Sequence, residues 1–250
     1  MDMEWKVAYG YIIFGSLMLI IYLFTNDYEL SVVAEIVFIP FYFFHSIKHK
    51  GVKYTAMFFT VSYSLSFIIE IIGVHFGIPF GKYSYSNILG PDVLSVPVAV
   101  PFLWSSLLYF SSLATRGRIL IPAILLVALD ISFDPRFSRH LWHWSVPGVY
   151  FGVPLTNFIG WLLASIFIYS VLYILIKKED NFHINGLIFY TVLGFFQCIE
   201  DVVVALYIPA IISSIIFAAI FATGYISWNQ RRLDKVPSGS VNFPYHQFYK

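Results

Sequence analysis

Charged residues are scarce in this chain. Only 12% of its 250 residues are Asp, Glu, Lys or Arg, whereas 59% are hydrophobic and 20% are aromatic. A soluble domain needs more polar surface than this to cover its core, and the mean hydropathy of +0.77 agrees. The composition therefore argues against an ordinary soluble protein and predicts an integral membrane protein.

Cysteine is nearly absent as well. Cys198 is the single one, which excludes an intrachain disulfide. The net charge of +1 lacks the basic excess that general nucleic-acid binding requires, so no nucleic-acid partner is expected. The first apolar run has no small-residue cleavage site behind it, and we interpret it as a retained membrane span rather than a signal peptide.

Apolar runs of about 20 residues, the length that spans a bilayer, recur along the whole chain. They predict an all-α, polytopic helix bundle with about eight transmembrane helices, at residues 7–24, 30–47, 54–76, 96–114, 119–133, 153–176, 184–207 and 210–228. The count is seven if the turn at residues 207–209 is only a kink at Pro209. Residues 1–229 then form a single transmembrane domain, and residues 230–250 form a polar C-terminal tail.

Lysine and arginine predict the orientation. Twelve of the 15 fall in the N-terminal segment, in alternate connections and in the tail: Lys6, Lys48, Lys50, Lys53, Arg116, Arg118, Lys177, Lys178, Arg231, Arg232, Lys235 and Lys250. Only Lys82, Arg136 and Arg139 lie elsewhere. By the positive-inside rule, both termini are cytoplasmic, and the chain is expected to be a multi-pass protein of the cell membrane.

With this orientation, six carboxyl groups from four spans gather in the outer half of the membrane. They are Glu35, Glu70, Asp130, Asp134, Glu200 and Asp201. Charged groups at that depth are costly unless they are paired or functional. One interpretation is a structural network neutralised by Arg136, Arg139 and Lys82. The other is a cavity whose acids hold their protons because they are desolvated and close together.

Helical spacing places some of these acids on shared faces. Ser62, Ser66 and Glu70 fall on one small, polar face together with Gly73 and Gly77, which would let a neighbouring helix approach closely. Glu70 is then expected to point into the bundle.

Asp130 and Asp134 are four residues apart and share a helix face, and Pro135 is expected to end that helix. Asn157, just inside the next span, needs a polar partner. Tyr150 and Trp161 flank this same segment.

Two metal-dependent alternatives fit poorly. The D-x-x-x-D spacing of Asp130 and Asp134 also occurs in membrane prenyltransferases, which use two such motifs, and no second motif is present. Di-iron hydroxylases use dense histidine clusters, whereas His45 and His49 lie at the opposite membrane face from His140 and His143. We therefore expect no metal. The segment with Trp142 and Trp144 could alternatively be an interfacial aromatic belt.

The residues between positions 70 and 161 resemble the carotenoid biosynthesis membrane protein family. That family includes CruF-type carotenoid 1,2-hydratases and the archaeal bisanhydrobacterioruberin hydratases. The resemblance is carried by Glu70, Gly73, Gly77, Pro79-Phe80-Gly81, Tyr83, Tyr85, Leu89-Gly90, Val96-Pro97, Pro101, Trp104, Asp130, Asp134-Pro135, Trp142, Trp144, Gly148, Tyr150, Gly152-Val153-Pro154-Leu155, Asn157-Phe158 and Gly160-Trp161. Outside this region the match is mainly one of hydrophobic spans.

The resemblance implies a cofactor-independent hydro-lyase that adds water to the terminal double bond of an acyclic carotenoid and leaves a tertiary alcohol. Such a reaction needs an acid that stays protonated near neutral pH, a base for the attacking water and aromatic faces that stabilise a carbocation. No metal, nucleotide or redox cofactor is needed. A polyene about as long as the ~30 Å hydrocarbon layer could reach the outer acids from the lipid.

On this basis we predict a site made of three acids and a surrounding pocket. Glu70, Asp130 and Asp134 form the acid/base set, and Asn157 orients water. The pocket and substrate-binding residues are Tyr83, Tyr85, Trp104, Trp142, Trp144, Tyr150, Asn157 and Trp161.

The expected partners are a carotenoid or other isoprenoid lipid substrate, water, the lipid bilayer and other membrane enzymes of the same pathway. Two alternatives remain. One is an end-group cyclase or isomerase, which would begin with the same protonation but exclude water. The other is a non-enzymatic carotenoid or lipid carrier.

Overall fold

The structure is a computed structural model that describes residues 3–25, 30, 36, 38–116, 119–176 and 182–234. Seven α-helices lie in this part of the chain: α1 (Met3–Thr25), α2 (Phe38–Phe76), α3 (Ala99–Ala114), α4 (Leu120–Phe137), α5 (Leu155–Ile176), α6 (Ile184–Val203) and α7 (Tyr207–Asp234). Glu35, Arg118, Lys177, Lys178, Lys235 and Lys250, on which the sequence predictions drew, lie outside the described residues.

Four of these helices are long and apolar enough to cross a membrane: α2, α5, α6 and residues Tyr207–Arg231 of α7. Shorter apolar helical stretches are Ile12–Thr25 and Ala99–Ala114. The architecture is thus that of a helical membrane protein, as predicted. The count of eight spans and the side on which the termini lie stay predictions.

Helix α2 is two antiparallel segments. Gly51, with φ 83° and ψ 164°, interrupts its helical backbone. Ser46 and Thr55 hydrogen-bond through their hydroxyls at 2.8 Å, whereas nine residues of continuous helix would separate them by about 13.5 Å. The chain therefore reverses at Gly51, where the left-handed backbone favours glycine. This reversal separates the second and third predicted spans.

A second reversal joins α6 to α7. Helix α6 ends at Val203, and Ala205 adopts a positive φ of 61° before α7 begins. Gly194 contacts Phe217, and further along Leu187 contacts Gly224, so the two helices run antiparallel. The turn that precedes Pro209 is a hairpin and not a kink.

Helix α3 is the central element. Every residue from Trp104 to Ala114 is buried, and the helix packs against α2, α4 and α6. A helix that is apolar all around belongs in the interior of a bundle. Its serines serve this packing: Ser105, for example, hydrogen-bonds Ser62 of α2 at 2.9 Å.

Helix α4 does not end at Pro135, contrary to the sequence prediction. It continues to Phe137 and contains Pro135 in its last turn. Proline lacks the N–H that would bond the carbonyl of Ile131, four residues earlier. The Tyr150 hydroxyl donates to that carbonyl instead, at 3.2 Å, which satisfies the group that the proline leaves free.

The connections after α2 and α4 contain short strands that the sequence analysis did not predict. Strand β1 (Tyr83–Tyr85) pairs with β4 (Trp142–Trp144), and β2 (Asp92–Val93) pairs with β3 (Val96–Pro97). The first connection also holds a 3₁₀ turn, Asn87–Leu89. It folds back along α2, because the Val98 carbonyl accepts a hydrogen bond from Tyr63, more than three turns before the end of that helix.

Candidate active site

Two connections meet at one end of the bundle and cover it. Strands β1 and β4 pair antiparallel, with Tyr83 opposite Trp144 and Tyr85 opposite Trp142. Because side chains alternate along a strand, these four rings share one face. The residues between them lie on the other face and are exposed. The strand pairing therefore places four aromatic rings over the end of the bundle.

Phe80 anchors this cover to the helices. Its ring lies between Gly73 of α2 and Gly160 of α5, where added Cβ atoms would come within 2.9 Å and 2.6 Å of it. A Cβ at Gly73 would also lie 2.7 Å from the Tyr83 hydroxyl. We predicted that Gly73 and Gly77 admit a neighbouring helix. Instead, Gly73 admits side chains of the connection, and Gly77, at φ 73°, ends α2.

Glu70 is buried and held by three neutral donors. Its Oε1 accepts a hydrogen bond from Trp104 Nε1 at 2.8 Å. Its Oε2 accepts hydrogen bonds from the Tyr85 hydroxyl at 2.7 Å and from the Tyr83 hydroxyl. Burial, and then the nearby Glu70 carboxyl, raise the pKa of both tyrosines well above the usual value. Both phenols therefore keep their protons and act as donors.

Asp130 and Asp134 form a pair on the inner face of α4. Both are buried, and the Asn157 amide of α5 donates to Asp130 Oδ2 at 3.0 Å and to Asp134 Oδ2. One nitrogen therefore bridges two carboxyl groups, which brings the two acids into contact range of each other. The predicted need of Asn157 for a polar partner is met by this pair.

These three acids have no cationic partner within the described ranges of the chain. Among the described residues, no Lys, Arg or His forms an ion pair with Glu70, Asp130 or Asp134. An isolated carboxylate is costly to bury, and two adjacent carboxylates are costlier still. A shared proton removes most of that cost. The arrangement is therefore suited to holding and moving protons.

A cavity of about 720 Å³, counted with the space at its opening, joins these groups. Its lining combines two acids and an amide with many rings and aliphatic side chains: Ile36, Glu70, Phe80, Tyr83, Tyr85, Leu89, Ala99, Val100, Leu103, Trp104, Phe133, Asp134, Phe137, Leu141, Trp142, Trp144, Asn157 and Trp161. Such a mostly apolar cavity with a few converging polar groups is typical of a small-molecule site.

Tryptophans form much of the wall near the acids. Trp104 and Trp161 stack with ring centroids 4.2 Å apart and planes 19° apart, so the indole that binds Glu70 is held in place. Trp144 lies 6.4 Å from the Tyr83 ring. Within the described part of the chain, its buried Nε1–H has no hydrogen-bond acceptor. This donor is available to a water molecule or to a polar group of a ligand.

The other outer acids belong to a separate network. Arg136 Nη1 lies 2.6 Å from Glu200 Oε2 and 3.8 Å from Asp201 Oδ1, and the guanidinium also donates to Gln197. Asp201 accepts a hydrogen bond from Ser132 at 2.5 Å. The two interpretations of the acid cluster thus apply to different acids: Glu200 and Asp201 share the Arg136 cation, whereas Glu70, Asp130 and Asp134 pair with no cation in the part of the chain that the structure describes.

The cavity gathers most of the predicted site residues, with two exceptions. Asp130 is fully buried and contacts the site through Asn157 rather than lining the cavity. Tyr150, which we predicted as a pocket residue, is not among the described residues that line it. Its hydroxyl is engaged at the Ile131 carbonyl, and its ring packs edge-on against Phe158.

Sequence reasoning missed several apolar walls of the cavity. Phe80 is part of the motif but has no predicted role, Leu103 and Phe133 fall in predicted membrane spans, and Phe137 falls in the connection after residue 133. Phe133 and Phe137 share a face of α4 four residues apart. This spacing is the signal that could have found them, although lipid-facing residues show the same pattern.

His45 and His143 lie in different surroundings. His45 hydrogen-bonds the Tyr109 hydroxyl at 2.8 Å within the bundle, whereas His143 bonds the Ser138 carbonyl in the connection after α4. Among the residues that the structure describes, no group of three or more His, Cys, Asp or Glu could hold a metal ion.

The sequence is similar to a known protein family and to a curated relative. The family model described as "Carotenoid biosynthesis protein" matches residues 28–220. Bisanhydrobacterioruberin hydratase of Haloarcula japonica is 31% identical to this chain over 112 residues, which is 40% of this chain and 38% of that protein. The chain thus matches well under half the length of that curated relative. No solved structure matches the chain.

Proposed function

This chain belongs to the carotenoid biosynthesis protein family, and from that membership we propose that it is a membrane-embedded hydratase of acyclic carotenoids. It adds water to the terminal double bond of an acyclic end group without a cofactor and produces a tertiary alcohol. One observation carries the proposal: Glu70 and Asp134 line the same aromatic cavity, and neither is paired with a cation that the structure describes. A relative named as a hydratase supports the reaction type.

The first step is protonation of the alkene, and we assign it to Asp134. Asp134 lines the cavity, and Asp130 stands behind it, bridged by the same Asn157 nitrogen. Two carboxyls in such contact favour a state with one shared proton. The Asp134 O–H passes its proton to the less substituted alkene carbon, whose π electrons form the new C–H bond. A tertiary carbocation remains.

Neutral rings are suited to stabilise this cation. The faces of Trp104, Trp144 and Trp161 carry negative quadrupole charge and attract cations, yet they do not trap them as a nucleophile would. The apolar wall of Leu103, Phe133 and similar residues would hold the hydrocarbon chain that leads to the reacting end.

Water attack completes the reaction, and we assign Glu70 as the base. The three hydrogen bonds that Glu70 accepts from neutral donors suit its ionised form. Trp144 Nε1 is a candidate donor to hold the water. The water oxygen forms the C–O bond, and its surplus proton passes to Glu70. The amide nitrogen of Asn157 bonds both aspartates and holds the acid pair in this scheme, and its predicted role in orienting water stays a prediction.

Oxygen-18 water tests the proposal. Purified protein incubated with an acyclic carotenoid should yield an alcohol one water heavier, with the label in the new hydroxyl. General acid or base catalysis contributes roughly 10²- to 10⁴-fold, so Glu70→Gln and Asp134→Asn should each reduce turnover at least 100-fold. Asp92→Asn is the matched control, because Asp92 is an exposed acid in the same connection.

Other products would overturn the proposal in distinct ways. An alcohol without the label would indicate an oxygenase, and a product of unchanged mass would indicate a cyclase or isomerase. Carotenoid recovered unchanged in the bound state, whatever the carboxyl substitutions, would indicate a carrier. Normal turnover in both variants would remove these two acids from the mechanism.

A further inference from the structure

After each turnover of the proposed hydration, the two acids of the cavity have exchanged protonation states. Asp134 has lost a proton to the substrate, and Glu70 has gained one from water. The overall reaction consumes no proton, so the enzyme returns to its starting state only when that proton moves from Glu70 to Asp134. Both groups are buried in the wall of the same cavity.

Tyr83 is hydrogen-bonded to one of these acids and shares the cavity with the other. It is 6% exposed and lines the cavity together with both of them. Its hydroxyl donates to Glu70 Oε2, and the Asp134 carboxyl acts electrostatically on the same phenol. The strand pairing of Tyr83 with Trp144 holds its backbone in place. Gly73, which has no Cβ, leaves room for the Tyr83 hydroxyl.

We propose that Tyr83 returns the proton from Glu70 to Asp134 after each turnover, an inference that rests on the proposed hydratase function. The Glu70 O–H donates its proton to the Tyr83 oxygen. At the same time the Tyr83 O–H gives its own proton to the Asp134 carboxylate, directly or through one cavity water. Tyr83 begins and ends neutral, Glu70 is again ionised and Asp134 is again protonated.

The neutral form of Tyr83 is the one that this step requires. Burial, followed by the charge of Glu70, raises the pKa of the phenol well above its usual value. A phenolate is therefore not a stable intermediate, and the two proton movements must be coupled. A hydroxyl can do this because it donates and accepts at one atom.

Tyr85 offers a matched comparison. Its hydroxyl donates to the same Glu70 oxygen at 2.7 Å, and it lies in the same strand and lines the same cavity. Burial, followed by Glu70, raises the pKa of both phenols, and the Asp134 carboxyl adds a smaller contribution at Tyr83. Phenylalanine at either position removes one hydrogen bond from Glu70, but only the change at Tyr83 breaks the route to Asp134.

Single-turnover and steady-state kinetics separate the two roles. In Tyr83→Phe, the first turnover uses the proton already on Asp134. We expect steady-state turnover to fall at least tenfold more than the rate of the first turnover, with a burst of about one product per enzyme. In Tyr85→Phe, both rates should change by the same factor. A small diffusible acid–base such as imidazole should raise the steady-state rate of Tyr83→Phe alone.

The outcomes distinguish this inference from the function beneath it. If the wild-type protein forms no hydrate, the proposed function fails. If the wild type hydrates and Tyr83→Phe shows equal losses in both rates and no rescue, the relay is wrong while the function stands. Should Tyr83→Phe not fold, Gly73→Ala takes its place, because the added methyl would displace the Tyr83 hydroxyl: the relay then requires a larger fall in steady-state turnover than in the first turnover, and equal falls would overturn it.

Discussion

Asp134 and Arg136 are two residues apart on α4, yet their surroundings differ. Asp134 faces the cavity and the Asn157 amide. Arg136 faces α6 and contacts three residues of that helix, Gln197, Glu200 and Asp201. Residues two apart on a helix point in different directions. Among the described residues, the end of α4 therefore separates acids without a cationic partner from acids that share Arg136.

The Arg136 network is a stability element, and its removal tests that assignment. Arg136→Met leaves Glu200 and Asp201 buried without their cation, and breaking a buried ion pair by removing one partner costs about 3–5 kcal/mol. We expect a loss of that size in the free energy of unfolding, measured by SDS titration in mixed micelles. Arg139→Met is the control, because Arg139 is exposed and donates to the Val204 carbonyl, and it should cost about 1 kcal/mol or less.

Activity separates this network from the cavity acids. Turnover per folded molecule in Arg136→Met should fall far less than in Asp134→Asn. A variant that keeps its stability but loses turnover would place Arg136 in the reaction.

At the residue scale, the positions of the acids could be predicted from the sequence, whereas their hydrogen-bond partners could not. The spacing of Asp130 and Asp134 predicted a shared face, and the polar face with Ser62 and Ser66 predicted that Glu70 points inward. The donors to Glu70 were named only as pocket residues, because their hydrogen bonds depend on contacts between distant segments. The position of Tyr150 could not be predicted, because its partner, the Ile131 carbonyl, is free only as a consequence of Pro135 within the helix.

At the element scale, the two connections act as one structure. Strand β1 pairs with β4 across almost 60 residues of chain, and Phe80 wedges the first connection between α2 and α5. Propensity and periodicity are local signals, so they predicted the helices but not this long-range pairing. The glycines were recognised as sites of close approach, but the sequence could not tell whether a helix or a loop would approach them.

Gly73→Ala tests whether close approach of the cover positions the site. The added methyl would lie 2.7 Å from the Tyr83 hydroxyl and 2.9 Å from the Phe80 ring, and overpacking of this kind costs typically 1–3 kcal/mol. We expect Tyr83 to move away from Glu70, turnover to fall at least tenfold and the melting temperature to drop. Gly10→Ala in α1 is the matched control, because nothing lies within 4 Å of its added methyl. Unchanged turnover and stability in Gly73→Ala would mean that Tyr83 does not sit over Gly73.

At the scale of the whole molecule, the helical hairpins determine which connections share a side. The reversal at Gly51 and the connection after Phe76 lie at opposite ends of a 25-residue segment, about 37 Å apart. The Tyr83–Trp144 pairing brings the connection after α4 to the same end as the connection after α2. Hydropathy predicted most of these helices. It could not place α3 at the centre of the bundle, because a helix surrounded by lipid and a helix surrounded by protein have similar hydropathy.

Orientation is the remaining prediction, and cysteine labelling tests it. Lys48, Lys50 and Lys53 surround the Gly51 reversal, so the positive-inside rule places that end in the cytoplasm and the cavity end outside. In a Cys198→Ala background, which removes the buried native thiol, Val146→Cys probes the cavity end, where Val146 is 77% exposed. Lys53→Cys probes the other end. A membrane-impermeant maleimide should label the first in intact cells and the second only after permeabilisation. The reverse pattern would turn the cavity toward the cytoplasm, so the attacking water would come from that side and the substrate end would have to reach the inner leaflet.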